Sequence, residues 1–270
     1  VSVIHVATAH HHSHEWIELQ RRFLDRHLSE PYRFYGSLEG VPEEYGRFFD
    51  VVVPSMGDHA GKLNLMGHVI LQEAEPDDLI VFLDGDAFPV ADVLGPVRAR
   101  LETSALVAVQ RLENHGDSQP HPCFCVVPVR VWRDLPGDWT SGHCFRPNRT
   151  DVGGNLQWLL DARHLSWSPL LRTHSLAPHD LLFAVYGGII YHHGAGFRGL
   201  KPPGQGSETW SPRIPDSASR VARMEQMRER HPERFEKFLA AAMETAVLSQ
   251  RVYDEILADA DIFEDLLATS

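Results

Sequence analysis

The segment LIVFLDGDAFPV, residues 79–90, constrains the fold more than any other part of the chain. Leu79–Leu83 is an unbroken apolar run, the pattern of a strand buried on both faces, as in a parallel sheet covered by helices. Its end delivers Asp84 and Asp86 to the carboxyl edge of that sheet, where open α/β folds bind ligands. Residues two apart on extended chain face the same side, so the two carboxylates converge. Converging carboxylates repel unless a cation lies between them, which points to a hard divalent ion, Mn²⁺ or Mg²⁺, with a nucleotide diphosphate completing its shell. Gly85 between them allows close approach. The plainer alternative is that both acids cap a turn.

The surrounding pattern agrees with an α/β sheet. VSVIHVATA reads as a buried strand, and Trp16, Leu19, Phe23, Leu24 and Leu28 then recur at helical spacing. Arg33–Tyr35 and Phe49–Val53 read as short strands, and Gly61–Glu75 as a helix. Strands are expected at 105–110, 123–128, 166–171 and 185–192, with a helix at 154–165. Residues 194–215 are rich in Gly and Pro and read as an ordered loop placed to cover a ligand; 216–270 turns to Glu, Arg, Ala and Leu at helical spacings. Pro232 marks a break or a helix's first turn.

Composition limits the partners. With 25 Lys plus Arg against 37 Asp plus Glu, the net charge is −12, which disfavours nucleic acid and anionic lipid. No stretch approaches the roughly 18 apolar residues of a membrane span, and the chain does not open on a basic region followed by an apolar run. Cys123, Cys125 and Cys144 are too few for a disulfide framework, so a reducing, cytoplasmic location is expected. Cys123 and Cys125 are expected to share one face of a strand as core residues, and Cys144 has no recognisable orienting group for nucleophilic work.

Other residues carry candidate chemistry. In DHAGKLN, Lys62 is placed to donate to a phosphate and Asn64 to a ribose or sugar hydroxyl, with ordinary helix surface as the alternative. After Gly187–Tyr191, alternation lets only one of His192 and His193 face a cavity; proximity to the following loop favours His193. An imidazole beside two carboxylates suits Mn²⁺ better than Mg²⁺. Arg198 and Lys201 are available to neutralise a leaving diphosphate, or are simply exposed loop cations. Gly194, Gly196 and Gly199 also satisfy GxGxxG, but Pro202 and Pro203 stop the helix a dinucleotide fingerprint would open.

Through VSVIHVATA, HAGKLN, FLDGDAFP and YHHGAGFRGLKP the chain resembles a GT-A-type, nucleotide-sugar-dependent glycosyltransferase over roughly residues 1–205. The resemblance implies an α/β, GT-A-like, Rossmann-related mixed sheet flanked by helices. Residues 1–215 would be the catalytic domain, with a donor half of about 1–110 and an acceptor half of about 111–215; residues 216–270 would be a helical C-terminal extension packed on it. It implies that Asp84 and Asp86, joined by a late histidine, hold Mn²⁺ or Mg²⁺ on the diphosphate of a UDP- or GDP-sugar, and that a hydroxyl acceptor receives the sugar. It places Thr8, Ala9 and His10 near the nucleobase, with the remaining histidines of AHHHSHEW as solvated polar loop. An inverting transferase needs a carboxylate to take the acceptor proton; Asp151 in RTDVGGN leads and Asp180 in PHDLLF follows, although helix capping accounts for either. Trp139, Trp158, Trp167 and Trp210 offer sugar-stacking faces, Trp158 being placed instead in the core by its helix position.

Two other functions compete. A haloacid-dehalogenase-type phosphatase also sets DxD after an apolar strand, but wants Thr or Val where Phe88 stands. A metal-dependent sugar-nucleotide-binding module would keep the fold without turnover.

Overall fold

The computed structural model describes residues 2–114, 117–142, 152–194, 225–259 and 261–268. The chain divides into two compact units, Val1–Gly194 and Ala195–Ser270.

In the first unit the expected strand and helix alternation is present: β1 (Ile4–His11), α1 (Glu15–His27), β2 (Tyr32–Glu39), β3 (Val51–Val53), α2 (His59–Leu71) and β4 (Leu79–Asp84). There follow β5 (Ala87–Pro89), α3 (Leu94–Leu101), β6 (Val107–Val109), β7 (His121–Pro128), α4 (Val129–Asp134), α5 (Gly154–Ala162), β8 (Ser168–Leu170), β9 (Arg172–Ser175), β10 (Ala184–Tyr186) and β11 (Ile190–His192). Seven strands form one sheet in the order β3-β2-β1-β4-β7-β6-β8, and four form another in the order β5-β11-β10-β9. β1 to β4 run parallel, whereas β7 is antiparallel to β4 and β6, so the large sheet is mixed and flanked by helices, the class expected.

Alternation along the central strands builds a core on each face. Ile4, Val6, Val81 and Leu83 pack with Ile17 and Leu24 of α1 and Val97 of α3; Ala7, Ile80 and Phe82 pack with Leu63 and Met66 of α2, Trp132 of α4 and Leu160 of α5. Cys123 belongs to the first cluster and Cys125 to the second, so they do not share a face as expected. The register of β6 against β7 shifts between Ala108 and Val109, which breaks simple alternation on β7. Both thiols are free and buried, and burial pushes their pKa values up, consistent with packing rather than reactivity.

The single strand expected at 185–192 is instead the hairpin β10–β11. Gly187 and Gly188 take φ of 60° and 70°, and the chain reverses there despite the apolar residues on either side. Trp158 is exposed rather than core, while Trp139 is fully buried and Trp167 donates its Nε1–H to Gln157 at 2.9 Å.

In the second unit the chain forms the helices α6 (Pro232–Ala258) and α7 (Ile262–Ala268), with Pro232 in the first turn of α6 as its fixed φ favours. Among the described residues no helix is long and apolar enough to cross a membrane.

Candidate metal and donor site

Leu79–Leu83 are buried, and the following turn carries Asp84, Gly85 and Asp86 out of the large sheet and into β5 of the small one. Asp84 lies in register with Ala9 at the carboxyl end of β1. β5 pairs antiparallel with β11, Ala87 opposite His192, and the His193 backbone N–H donates to the Asp86 carbonyl at 3.0 Å. That ladder returns His192 to the two acids: its Nε2 lies 3.5 Å from Asp84 Oδ2 and 3.5 Å from Asp86 Oδ1. One ligand atom from each of Asp84, Asp86 and His192 can be chosen so that all lie within 4.8 Å of one another. Two carboxylates and an imidazole on such a spacing fit a divalent ion tolerant of mixed oxygen and nitrogen ligands.

The turn is held from α1. The Gln20 amide nitrogen donates to the Asp84 carbonyl at 2.9 Å and to the Ala87 carbonyl at 2.7 Å, while its oxygen faces His10 Nε2 at 3.3 Å. Carbonyls only accept, which fixes the amide orientation and makes His10 Nε2 the donor. Gly85 closes against the same elements. A Cβ there would stand 2.8 Å from the Ala9 carbonyl oxygen and 2.9 Å from His10 Nδ1. Gly85→Ala is therefore expected to push the turn off β1 and to cost about 1–3 kcal/mol, the usual range for overpacking, read as a lower unfolding midpoint in urea. A midpoint equal to that of the parent would count against the close approach.

Two further histidines border the pair. His59, the first residue of α2, places Nε2 2.9 Å from Asp84 Oδ1. Its partial burial opposes protonation, but the Asp84 hydrogen bond and charge outweigh this and raise its pKa. His121 on β7 lies with its ring 6.0 Å from that of His192, and its Nδ1 accepts the Cys123 backbone N–H at 3.1 Å. Burial lowers its pKa to about 3, so the ring is neutral at physiological pH with its proton on Nε2. Burial disfavours charge on Asp84 too, yet the His59 hydrogen bond and the nearby histidines hold its carboxyl well below the usual range. Against the same cost of burial, His192 brings Asp86 down to about 2. Both acids are ionised at neutral pH, as metal ligands must be.

Of the two late histidines, the structure brings His192 and not the favoured His193 to the acids. The His193 ring is fully buried against Trp16 at 4.6 Å and Phe183 at 4.8 Å, with Nδ1 2.9 Å from the Tyr191 hydroxyl. The side chains of Thr8, Ala9 and His10, expected near the nucleobase, pack within the protein. Thr8 is fully buried in mid-strand with no hydrogen-bond partner for Oγ1 among the described residues, Ala9 is core, and His10 braces Gln20, its pKa brought to about 4 by burial. Lys62 is buried in an ion pair with Glu39, with Nζ 3.4 Å from His11 Nδ1. Asn64 spends its amide internally: its nitrogen donates to Asp138 at 2.7 Å and its oxygen accepts the Trp139 N–H at 2.8 Å. Asp180 is exposed in the β9–β10 connection, where its carbonyl accepts from Arg172. Asp151, Arg198, Lys201, Cys144, Trp210 and nearly all of the 194–215 loop lie outside the described residues.

The chain resembles solved glycosyltransferase structures. The apo-form glycosyltransferase GlyE of Streptococcus pneumoniae TIGR4 matches at 16% identity and a TM-score of 0.43, over 62% of this chain and 45% of GlyE. Residues 1–349 of S. aureus TarS match at 12% identity and 0.42, over 62% of this chain and 57% of that one. The mannosyltransferase PcManGT of Pyrobaculum calidifontis, solved with GDP-Man and Mn²⁺, matches at 12% and 0.42, over 98% of this chain and 78% of its own. This chain thus spans about half the length of GlyE and TarS 1–349. No protein-family model and no curated protein sequence matches it.

Proposed function

We propose that the chain is a GT-A-type, metal-dependent glycosyltransferase that moves a sugar from a UDP- or GDP-sugar to a hydroxyl acceptor. The observation that carries this reading is the convergence of Asp84, Asp86 and His192 at the carboxyl end of β4. A divalent cation held by these three residues would offset the negative charge of a nucleotide diphosphate, the group that leaves when the sugar is transferred. The protein's own part is positional: β4 and the β5–β11 ladder bring the three side chains together, and Gln20 pins the turn on which two of them stand. Asp151 remains the first candidate for the base that takes the acceptor proton, on sequence grounds alone, and Asp180 the second.

A panel of UDP- and GDP-sugars with Mn²⁺ tests the reading. Thermal stabilisation by one donor, with slow release of its sugar in the absence of acceptor, is the expected result. Stabilisation with no release would favour a binding module. Release of inorganic phosphate from phosphomonoesters, with sugar nucleotides left intact, would favour a phosphatase.

A further inference from the structure

We infer that His59 is a positioning residue for the metal site, holding the Asp84 carboxylate so that one oxygen is engaged by α2 and the other is turned toward His192 and Asp86. The inference rests on the metal reading proposed above and adds a residue to it.

The two oxygens of Asp84 are divided between two neighbours. Oδ1 lies 2.9 Å from His59 Nε2, while Oδ2 faces His192 Nε2 at 3.5 Å. An ionised carboxylate has only acceptors, so His59 Nε2 carries the proton in this hydrogen bond. The backbone position of His59 is itself set. Asp58 caps α2 by accepting the Gly61 N–H at 2.9 Å, which sets where the helix begins and hence where its first residue stands. Gly57, with φ of 75°, turns the chain into that cap.

His59 stands outside the ligand set. The three groups that come within 4.8 Å of one another are Asp84, Asp86 and His192, whereas the hydrogen bond of His59 goes to Asp84 Oδ1. Its side chain is 39% exposed, so shortening it leaves no closed cavity in the core. The need for such a partner follows from charge. Asp84 and Asp86 are both ionised and repel, and a short side chain released from His59 is free to rotate one carboxylate away from the other. Hydrogen-bond partners of this kind typically change metal affinity by about 10–100-fold when removed.

The test is Mn²⁺ binding to the whole chain without nucleotide, followed by electron paramagnetic resonance of the free ion. H59L, which has no donor, is expected to bind Mn²⁺ about 10–100-fold more weakly than the parent. H59Q, whose amide N–H can reach the same oxygen, is expected to restore most of that loss, and D86A to abolish binding. H59A serves as the second donor-free variant if H59L melts well below the parent. Parental Mn²⁺ affinity in the donor-free variants, with D86A inactive in binding, would overturn the role of His59 alone. H59Q as weak as H59L would overturn positioning by N–H donation. D86A binding as tightly as the parent would overturn the metal reading itself.

Discussion

Asp86→Ala is expected to erase the rise in melting temperature that Mn²⁺ with UDP or GDP gives the parent chain. A ligand present at a hundredfold its Kd stabilises the folded state by about 2.7 kcal/mol. For a domain of this size each kcal/mol moves Tm by roughly 2–4 °C, so the parent should shift by about 5–10 °C. The variant leaves one carboxylate and one imidazole, and with half the anionic charge gone the remaining pair cannot hold a divalent ion on a diphosphate. Asp86 is a cleaner target than Asp84, whose removal would also strip His59 of its hydrogen bond. Without metal, the variant should melt no lower than the parent by more than about 2 °C, because it also relieves repulsion between two partly buried acids. A parental shift with Mn²⁺ and nucleotide, read by differential scanning fluorimetry, would end the metal assignment.

The acids were legible in the sequence because the signal that reveals them is local: an apolar run, a turn and two carboxylates within eight residues, Leu79–Asp86. The helices α1 and α2 were legible for the same reason, each written in its own periodicity. What escaped depends on pairing across the chain. Alternation shows that His192 and His193 point opposite ways, but parity is decided by β5 pairing with β11, and β5 is three residues long with no pattern of its own. The 185–192 run looked like one strand because its apolar content is continuous; the φ of Gly187 and Gly188 decides otherwise. His59 lies 25 residues from Asp84, and nothing in the sequence around it names its partner. Thr8 and Ala9 lie inside β1 because that strand runs on to His11, past the end of the VSVIHVATA segment.

Gln20 did leave a signal. It falls on the buried stripe of α1 between Leu19 and Phe23, where a polar side chain must find hydrogen bonds within the protein. Gln20→Leu is expected to be among the most destabilising single changes in the first unit. Leucine has nearly the volume of glutamine, so the loss is electrostatic: the buried Ala87 carbonyl and His10 Nε2–H and the part-buried Asp84 carbonyl all lose their hydrogen bond to Gln20. An unsatisfied buried polar group costs about 1–3 kcal/mol, so three of them should cost about 3 kcal/mol or more, a fall of about 6–12 °C in Tm. Gln20→Glu is expected to do no better, because it sets an oxygen against two carbonyl oxygens and buries a charge. The two carbonyls belong to the turn that carries both acids, so any Gln20→Leu protein that remains folded should also bind Mn²⁺ more weakly. Asp86→Ala and Gln20→Leu should therefore fail differently: the first should keep its melting point and lose its response to metal, the second should lose stability first. A Gln20→Leu chain that melts within about 2 °C of the parent would mean that the turn is held by something other than α1.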